Sequence, residues 1–215
     1  MKNNIYTRVF GLLFLGVFVS FLTGYFLSLN PSLVIKVMGG GYFYILVILE
    51  LAVVIVFSLL IKKMNKYLAY FCYFLYSILT GFTLSVIFLA YSLNSILLVF
   101  LLTSIILAVF ALYGYFTKND LSNWGMYLFV ALLGIIVASI INIFLGNTTL
   151  DLIISIVGIL VFVLYVVYDV NKVIPNASYM LDEEKGAIYG AFQVYLDFIN
   201  IFLDLIRIFG KNNDN

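Results

Sequence analysis

Residues 186–207 read GAIYGAFQVYLDFINIFLDLIR, the most informative segment of the sequence for the architecture of the chain. Its polar positions recur at intervals of three and four residues, the repeat that places side chains on one face of an α-helix. This polar face consists of Gly186, Gly190, Gln193, Asp197, Asn200, Asp204 and Arg207. The opposite face is apolar. Because such a helix cannot turn its polar face to lipid, it must line a cavity or pack centrally in a bundle.

The rest of the chain has the composition of a membrane protein. Of its 215 residues, 65% are hydrophobic and 10% are charged, whereas about 25% are charged in an average soluble domain. The chain has no histidine and one cysteine, Cys72, which excludes histidine-based zinc sites, Ser-His-Asp or Cys-His catalysis and an intrachain disulfide. The net charge is +1 and the sequence has no run of basic residues, so it lacks the positively charged patch that nucleic-acid binding requires. We therefore expect an integral membrane protein that is not an enzyme, holds no cofactor and binds no nucleic acid.

Several segments are long and apolar enough to cross a bilayer, whose hydrocarbon core of about 30 Å requires about 20 residues of helix. The predicted spans are 9–29, 42–61, 68–90, 95–116, 124–145, 152–170 and 187–209. Because the connections are short, the sequence predicts a single membrane domain over 1–215, an all-α bundle of seven transmembrane helices with the polar C-terminal helix at its centre. Eight of the 11 lysines and arginines lie in segments on the same side of the membrane as the N-terminus, and three lie on the other side. Positively charged residues prefer the cytoplasmic side, which predicts the N-terminus inside and the C-terminus outside. The short termini favour a bacterial plasma (inner) membrane.

Small residues indicate where helices pack closely. They recur every four residues in the first span (Gly16, Ser20, Gly24, Ser28) and in the third (Ser77, Gly81, Ser85). Small side chains at this spacing allow helix backbones to approach one another in lipid. We interpret both series as packing surfaces.

Five ionisable residues lie within the predicted spans, namely Glu50, Asp169, Asp197, Asp204 and Arg207. Charges at membrane depth are costly, so each is a functional hypothesis. Asp197 lies near the midplane, whereas Asp169 ends the sixth span, where Lys172 is an alternative partner at i+3. If Asp169 faces Asp197, the two carboxyl groups share a site of low dielectric constant and are expected to titrate as a unit.

The remaining charges have candidate partners on other helices. Glu50 and Arg207 lie at comparable depths, which predicts an ion pair, and Asp204 competes for the same arginine at i+3. Lys62 and Lys63 lie at the depth expected for Asp169 and are candidates for a cation that latches it.

The C-terminal third contains two recognisable strings, Tyr168-Asp169-Val170-Asn171 and YLDFINIFL at 195–203. Together with Glu50 in the second span, they resemble the transmembrane Bax inhibitor-1 motif family, in particular its short bacterial members. The resemblance implies a seven-helix bundle with the last helix central, and a pH-sensitive Ca²⁺ leak. It also implies that Asp169 and Asp197 form the pH-sensing pair that gates the pore and can hold Ca²⁺. Carboxylates suit this ion, which prefers oxygen ligands.

One departure from the family pattern concerns the latch. The bacterial relatives carry arginines at the inner end of the second span, whereas this chain reads Ile61-Lys62-Lys63. Lysine lacks the bidentate fork of arginine, so a lysine latch is expected to be weaker. The interaction partners implied by the sequence are the lipid bilayer, Ca²⁺ and protons; no soluble protein partner is specified.

Two other functions use the same residue types. A proton-coupled cation exchanger or transporter would need the same polar stripe, including Gln193 and Asn200. An intramembrane aspartyl protease also uses two aspartates in neighbouring spans. Such enzymes have a G-x-G-D motif and a Pro-Ala-Leu element, but Asp197 follows Tyr195-Leu196 and the only prolines are Pro31 and Pro175. The sequence therefore favours a channel or carrier over a protease.

Overall fold

The helices of the structure follow the predicted spans closely. The computed structural model describes residues 2–39 and 42–212, and regular secondary structure in these ranges is helical apart from one isolated bridge between Tyr91 and Asn212. The helices are α1 (Lys2–Ser28), α2 (Pro31–Met38), α3 (Tyr42–Leu60), α4 (Lys66–Ala90), α5 (Leu93–Phe116), α6 (Trp124–Leu145), α7 (Thr148–Tyr168), α8 (Ile174–Met180) and α9 (Glu183–Phe209). A π-helical turn at Asp169–Val173 joins α7 to α8.

Six helical stretches of the described residues are long and apolar enough to cross a membrane. They contain α1, α3, α4, α5, α6 and α7, and the last of them continues through the π turn into α8. The chain is therefore a helical integral membrane protein. Helix α9, which carries the polar stripe, is not among the six, so its crossing of the membrane and its central position stay predictions. The single domain and the orientation of the termini also stay predictions.

The connections between the spans contain more helix than the sequence predicted. Helix α2 lies between the first two spans, and the predicted loop 171–186 contains most of the π turn, all of α8 and the start of α9. Proline does not prevent these helices. Pro31 occupies the first turn of α2, where a missing N–H removes no helical hydrogen bond, and Pro175 follows the π turn as the second residue of α8.

Polar residues and one glycine define several helix ends. The side chains of Asn65 and Asn147 accept hydrogen bonds from the N–H groups of Leu68 (2.9 Å) and Leu150 (3.0 Å), which caps α4 and α7. Gly146 ends α6 with φ +60°, a left-handed conformation that glycine adopts without steric cost. These caps end the helices at short turns.

The described residues fall into two compact units. The first contains residues of Met1–Leu93, Asn176–Tyr195 and Lys211–Asn215, and the second contains Asn94–Pro175 and Leu196–Gly210. Helix α9 contributes its first half to the first unit and its second half to the second.

In the first unit, α1 packs along α4 through small residues. A Cβ atom added at Gly81 would lie 2.8 Å from the backbone oxygen of Ser20, and one added at Gly24 would lie 3.1 Å from the backbone oxygen of Gly81. Such distances leave no room for a side chain. The prediction that the small residues of both helices mark packing surfaces is confirmed.

The start of α9 in the same unit is held by ion pairs. Glu183 lies 3.8 Å from Arg8 of α1, and Glu184 lies 3.0 Å from Lys66 at the start of α4. All four side chains are about half-exposed, so water screens both pairs and each contributes little to stability. Their geometry nevertheless sets where α9 begins against α1 and α4.

In the second unit, α7 packs on both α5 and α6. The closest approach lies at Gly114 of α5, where an added Cβ atom would lie 2.7 Å from the backbone oxygen of Val167. The second half of α9 adds an aromatic contact, with the rings of Phe100 and Phe198 edge to face at 5.6 Å. Because Val167 precedes Asp169 by only two residues, this packing fixes the position of the candidate site.

Candidate functional site

The site begins where α7 changes its winding. Asp169 is the first residue of the π turn, and the N–H of Ile174 bonds to its carbonyl oxygen, five residues back. A π turn contains one more residue than an α turn and occurs frequently at functional sites. An aspartate in water is charged at neutral pH, yet Asp169 is only 3% exposed. The wider turn therefore carries a carboxyl group into the protein interior.

Asn171 fixes this turn to the end of α5. Its side-chain amide donates hydrogen bonds to the carbonyl oxygens of Gly114 (2.9 Å) and Thr117 (3.3 Å). These carbonyls belong to the last turn of α5 and the residue after it, where helical partners are lacking. The amide thus satisfies both carbonyls and holds the π turn in place.

The predicted alternative partner of Asp169 is engaged elsewhere. Lys172 forms an ion pair with Asp120 at 3.2 Å, on the loop between α5 and α6. The interpretation of Asp169 as an interfacial residue paired with Lys172 is therefore wrong about the partner, because the π turn alters the i+3 geometry that an α-helix would provide. The pKa of Asp120 is lowered to about 2 by hydrogen bonds from Ser122 and, next, by the ammonium group of Lys172.

The carboxyl group of Asp169 faces that of Asp197 on α9. The two are close enough to act directly on one another, as hydrogen-bonding and charge partners. Asp197 is 4% exposed, and Tyr165, one turn before Asp169, lies near both carboxyl groups. The structure thus brings together the two residues that the sequence singled out as a pair.

One oxygen of this pair is left over. Oδ2 of Asp197 is buried and has no hydrogen-bond partner among the described residues. A buried acceptor without a partner is costly, and in native proteins such an atom calls for an explanation such as a proton, an ion or a water molecule. Because no group of three or more metal-binding side chains occurs among the described residues, a dedicated metal cage is absent from that part of the chain.

A second polar cluster surrounds Arg207 in the same unit. Its guanidinium group donates to Oδ1 of Asp204 (3.0 Å) and to the hydroxyl of Ser155 (2.9 Å), and it lies 3.6 Å from Asp151. Asp204 is 9% exposed and packs against Gly158, where a side chain would collide with its carboxylate. The predicted i+3 pair of Asp204 and Arg207 is therefore confirmed.

The other predicted site residues lie outside these two clusters. Glu50, in the first unit, accepts a hydrogen bond of 2.6 Å from the hydroxyl of Thr83, whereas its predicted partner Arg207 bonds within the second unit. Lys62 and Lys63 are exposed in the turn after α3, and neither forms an ion pair with any residue that the structure describes. The lysine latch stays a prediction.

The polar stripe of α9 is only partly explained by these contacts. Gln193 is half-buried, and the amide of Asn200 bonds to the carbonyl oxygen of Leu196 (2.7 Å), a contact within the helix. The apolar side of α9 is also buried, with Phe192 and Ile201 fully inaccessible. Buried residues therefore lie on both faces of α9, and its central position in the bundle stays a prediction.

Sequence reasoning missed three residues that bond to the predicted site residues or hold them in place. Asp151 lies four residues before Ser155, so extending the polar face of the sixth span by one turn would have found it. The anchoring role of Asn171 has no helical signal, because its partner carbonyls are 57 and 54 residues away. Thr83 is an ordinary residue of an apolar span and is distinguished only by its contact with Glu50.

The fold and the site together define a class: a helical integral membrane protein whose buried polar groups include a pair of aspartates in direct contact. Comparison with known proteins gives the family. The family described as "Inhibitor of apoptosis-promoting Bax1" matches residues 2–214, and the chain belongs to this family. The resemblance noted from the sequence is thereby confirmed.

Several curated bacterial proteins are similar to the chain along most of their length. It is 37% identical to "Inner membrane protein YbhL" of Escherichia coli K12, over 95% of this chain and 90% of that protein. It is 34% identical to an uncharacterized membrane protein of Streptococcus pyogenes serotype M1, over 98% and 94% of the two chains. An uncharacterized protein of Borreliella burgdorferi is 32% identical, over 100% and 95%.

Proposed function

We propose that the protein is a pH-sensitive Ca²⁺ leak channel of a bacterial inner membrane, gated by Asp169 and Asp197. The observation that carries the proposal is the direct contact of these two buried carboxyl groups, one oxygen of which has no other partner. The E. coli relative is named an inner membrane protein, which supports the location. The leak activity is the one that the resemblance to the family implies.

Two carboxyl groups in contact within a buried site respond to pH as a unit. When one proton lies between them, it forms a hydrogen bond from one carboxyl to the other and cancels one negative charge. When that proton leaves, two negative charges face each other at low dielectric constant, and their repulsion favours separation. Because Asp169 and Asp197 lie on different helical elements, separation moves those elements. Such a pair is a pH-dependent switch that needs no histidine.

The same groups suit Ca²⁺ as a passing ion. Ca²⁺ takes 6–8 oxygen ligands, of which two aspartates supply at most four. Water must supply the rest, which weakens the binding and lets the ion leave. Proton and Ca²⁺ compete for the same oxygens, so occupancy by one excludes the other.

The test measures Ca²⁺ entry into liposomes that contain the reconstituted protein and a Ca²⁺-sensitive dye. We expect the flux to depend on pH between about pH 5 and pH 8, and Asp197→Asn to change it. If a single shared proton controls the gate, the flux changes by no more than about tenfold per pH unit. Asp169→Asn should remove the pH dependence while leaving flux.

Controls and refutation use aspartates elsewhere in the chain. Asp182→Asn replaces an exposed carboxylate in the loop before α9, which accepts a hydrogen bond from the N–H of Lys185 and belongs to the first unit, whereas the pair belongs to the second. It should match the unmodified protein. If Asp197→Asn also matches it at every pH, the gating role of the pair is wrong. Ca²⁺ movement against its own gradient when a proton gradient is imposed would instead identify a proton-coupled exchanger, which the same pair of carboxyl groups could serve.

A further inference from the structure

The first unit contains a polar cluster that the proposed gate does not use. Glu50 of α3 is half-buried and accepts a hydrogen bond of 2.6 Å from the hydroxyl of Thr83 on α4. The other titratable groups of this unit that face Glu50 are the hydroxyls of Tyr76 on α4 and Tyr195 on α9. Both α3 and α4 are candidate membrane spans, so this carboxylate lies inside an apolar segment.

Tyr195 connects the cluster to α1 through hydroxyl groups. Its ring is fully buried, packs edge to face on Tyr76 at 5.8 Å, and places its hydroxyl 2.6 Å from that of Ser20. Ser20 has one hydroxyl proton and lies 2.7 Å from the backbone oxygen of Ser77, to which it donates. Tyr195 is therefore the donor to Ser20, and its lone pairs remain available as acceptors.

Thr80 adds a buried hydroxyl group to this cluster. Its side chain is buried, with the residue 5% exposed, and its hydroxyl points toward those of Tyr76 and Tyr195 without completing a hydrogen bond. Among the described residues this is one of two buried side-chain atoms without a partner, and the other belongs to Asp197. A buried hydroxyl of this kind is costly unless something transient, such as a water-borne proton, uses it.

We propose that Glu50, with the hydroxyl groups of Tyr76, Thr80, Thr83 and Tyr195, forms a second proton-binding site of this protein, distinct from the aspartate pair. One proton, carried in from the bulk as hydronium, forms an O–H bond on the Glu50 carboxylate, which loses its negative charge while the carrier becomes neutral water. Thr83 keeps its own proton, and its hydrogen bond is stronger to the charged carboxylate than to the neutral acid. Thr80, Tyr76 and Tyr195 provide the donors and acceptors that a water molecule carrying the proton requires.

The experiment is infrared spectroscopy of the full-length protein in lipid vesicles, with Asp169→Asn and Asp197→Asn present throughout. In this background the aspartate pair cannot contribute a signal. Lowering the pH from about 8 to about 4 should produce a carboxylic acid carbonyl band that disappears in Glu50→Gln. If Glu50→Gln leaves every titrating band unchanged, the proposal is wrong.

Hydroxyl variants separate a proton site from a structural contact. Thr83→Val removes the donor to the carboxylate and should move the Glu50 band to higher pH by about one unit, since a hydrogen bond to a charged group favours the charged form. Thr83→Ser restores the hydroxyl and should restore the midpoint. Tyr195→Phe should change the frequency of the band, because it alters the polar groups around Glu50.

The matched control is Tyr73→Phe. Tyr73, on α4, is fully buried like Tyr195, but its hydroxyl donates to the carbonyl oxygen of Leu12 at 2.8 Å. This variant should leave the Glu50 band where it was. Equal spectra for Tyr73→Phe, Tyr195→Phe and Thr83→Val would refute the cluster. Because no Ca²⁺ flux is measured, this result is independent of whether the aspartate pair gates a leak.

Discussion

Replacing Gly81 by alanine tests the packing of α1 on α4 in the first unit. The added Cβ atom would lie 2.5 Å from the Cβ atom of Thr23 and 2.8 Å from the backbone oxygen of Ser20. Carbon atoms in favourable contact are about 3.5–4.0 Å apart, so the methyl group lacks about 1 Å of space. Both obstacles are close to or part of the α1 backbone, and rotating a flexible side chain cannot remove them. The two helices must therefore separate.

The expected cost is about 1–3 kcal/mol, the range measured when an extra methyl group is forced into a packed interior. This corresponds to a factor of about 5 to 150 in the unfolding equilibrium constant, since about 1.4 kcal/mol is tenfold. The intrinsic preference of helices for alanine over glycine offsets about 0.5–1 kcal/mol of the loss. A net decrease in the free energy of unfolding should remain.

Equilibrium unfolding in mixed detergent micelles, followed by far-UV circular dichroism, measures the change. Gly134→Ala is the matched control, because Gly134 also lies within a candidate span and a Cβ atom there would meet nothing within 4 Å. It should leave stability unchanged or raise it slightly. If Gly81→Ala unfolds at the same detergent composition as Gly134→Ala, the helices do not approach as described and the argument fails.

Three further predictions concern the second unit. Asn171→Ala leaves two carbonyl groups at the end of α5 without their donor and should lower stability by about 1–3 kcal/mol, whereas the exposed Asn119→Ala should not. Arg207→Gln leaves two carboxylates without their cation; it should lower stability by about 1 kcal/mol, and Asp204→Asn in the same chain should recover part of the loss. The pKa of Asp120 is lowered from 3.8 to about 2, so its stabilising contribution is complete above about pH 4 and is lost as the pH falls toward 2; Asp120→Asn should flatten that part of the curve of stability against pH.

The helical architecture was largely predictable because its signal is strong and local. Each predicted span corresponds to a helix, and the small residues of α1 and α4 mark a real contact. Hydrophobic runs and the spacing of small residues follow from the thickness of a bilayer and the pitch of a helix. The polar stripe of α9 follows from the same periodicity.

The contacts between distant parts of the chain were less predictable. The sequence proposed Asp169 and Asp197 as a pair, but its estimate of their depths argued against the contact. The π turn was not foreseen, because no residue type specifies it as glycine specifies a left-handed turn. The hydrogen bond from Thr83 to Glu50 was also missed, since depth along a span does not determine which neighbour a side chain meets.

The π turn at Asp169–Val173 is equivalent to one extra residue in a continuous helix. Each residue of an α-helix advances about 100° around the axis. Deleting one residue here would convert the turn to ordinary α-helix and shift the side chains within it, so that Asn171 would no longer point to the end of α5. Insertions and deletions should be tolerated in the exposed loops of this chain far more readily than within these five residues. The turn determines which residues between α7 and α8 face the interior. A sequence alignment that places a gap within it would therefore assign the wrong positions to Asp169 and Asn171.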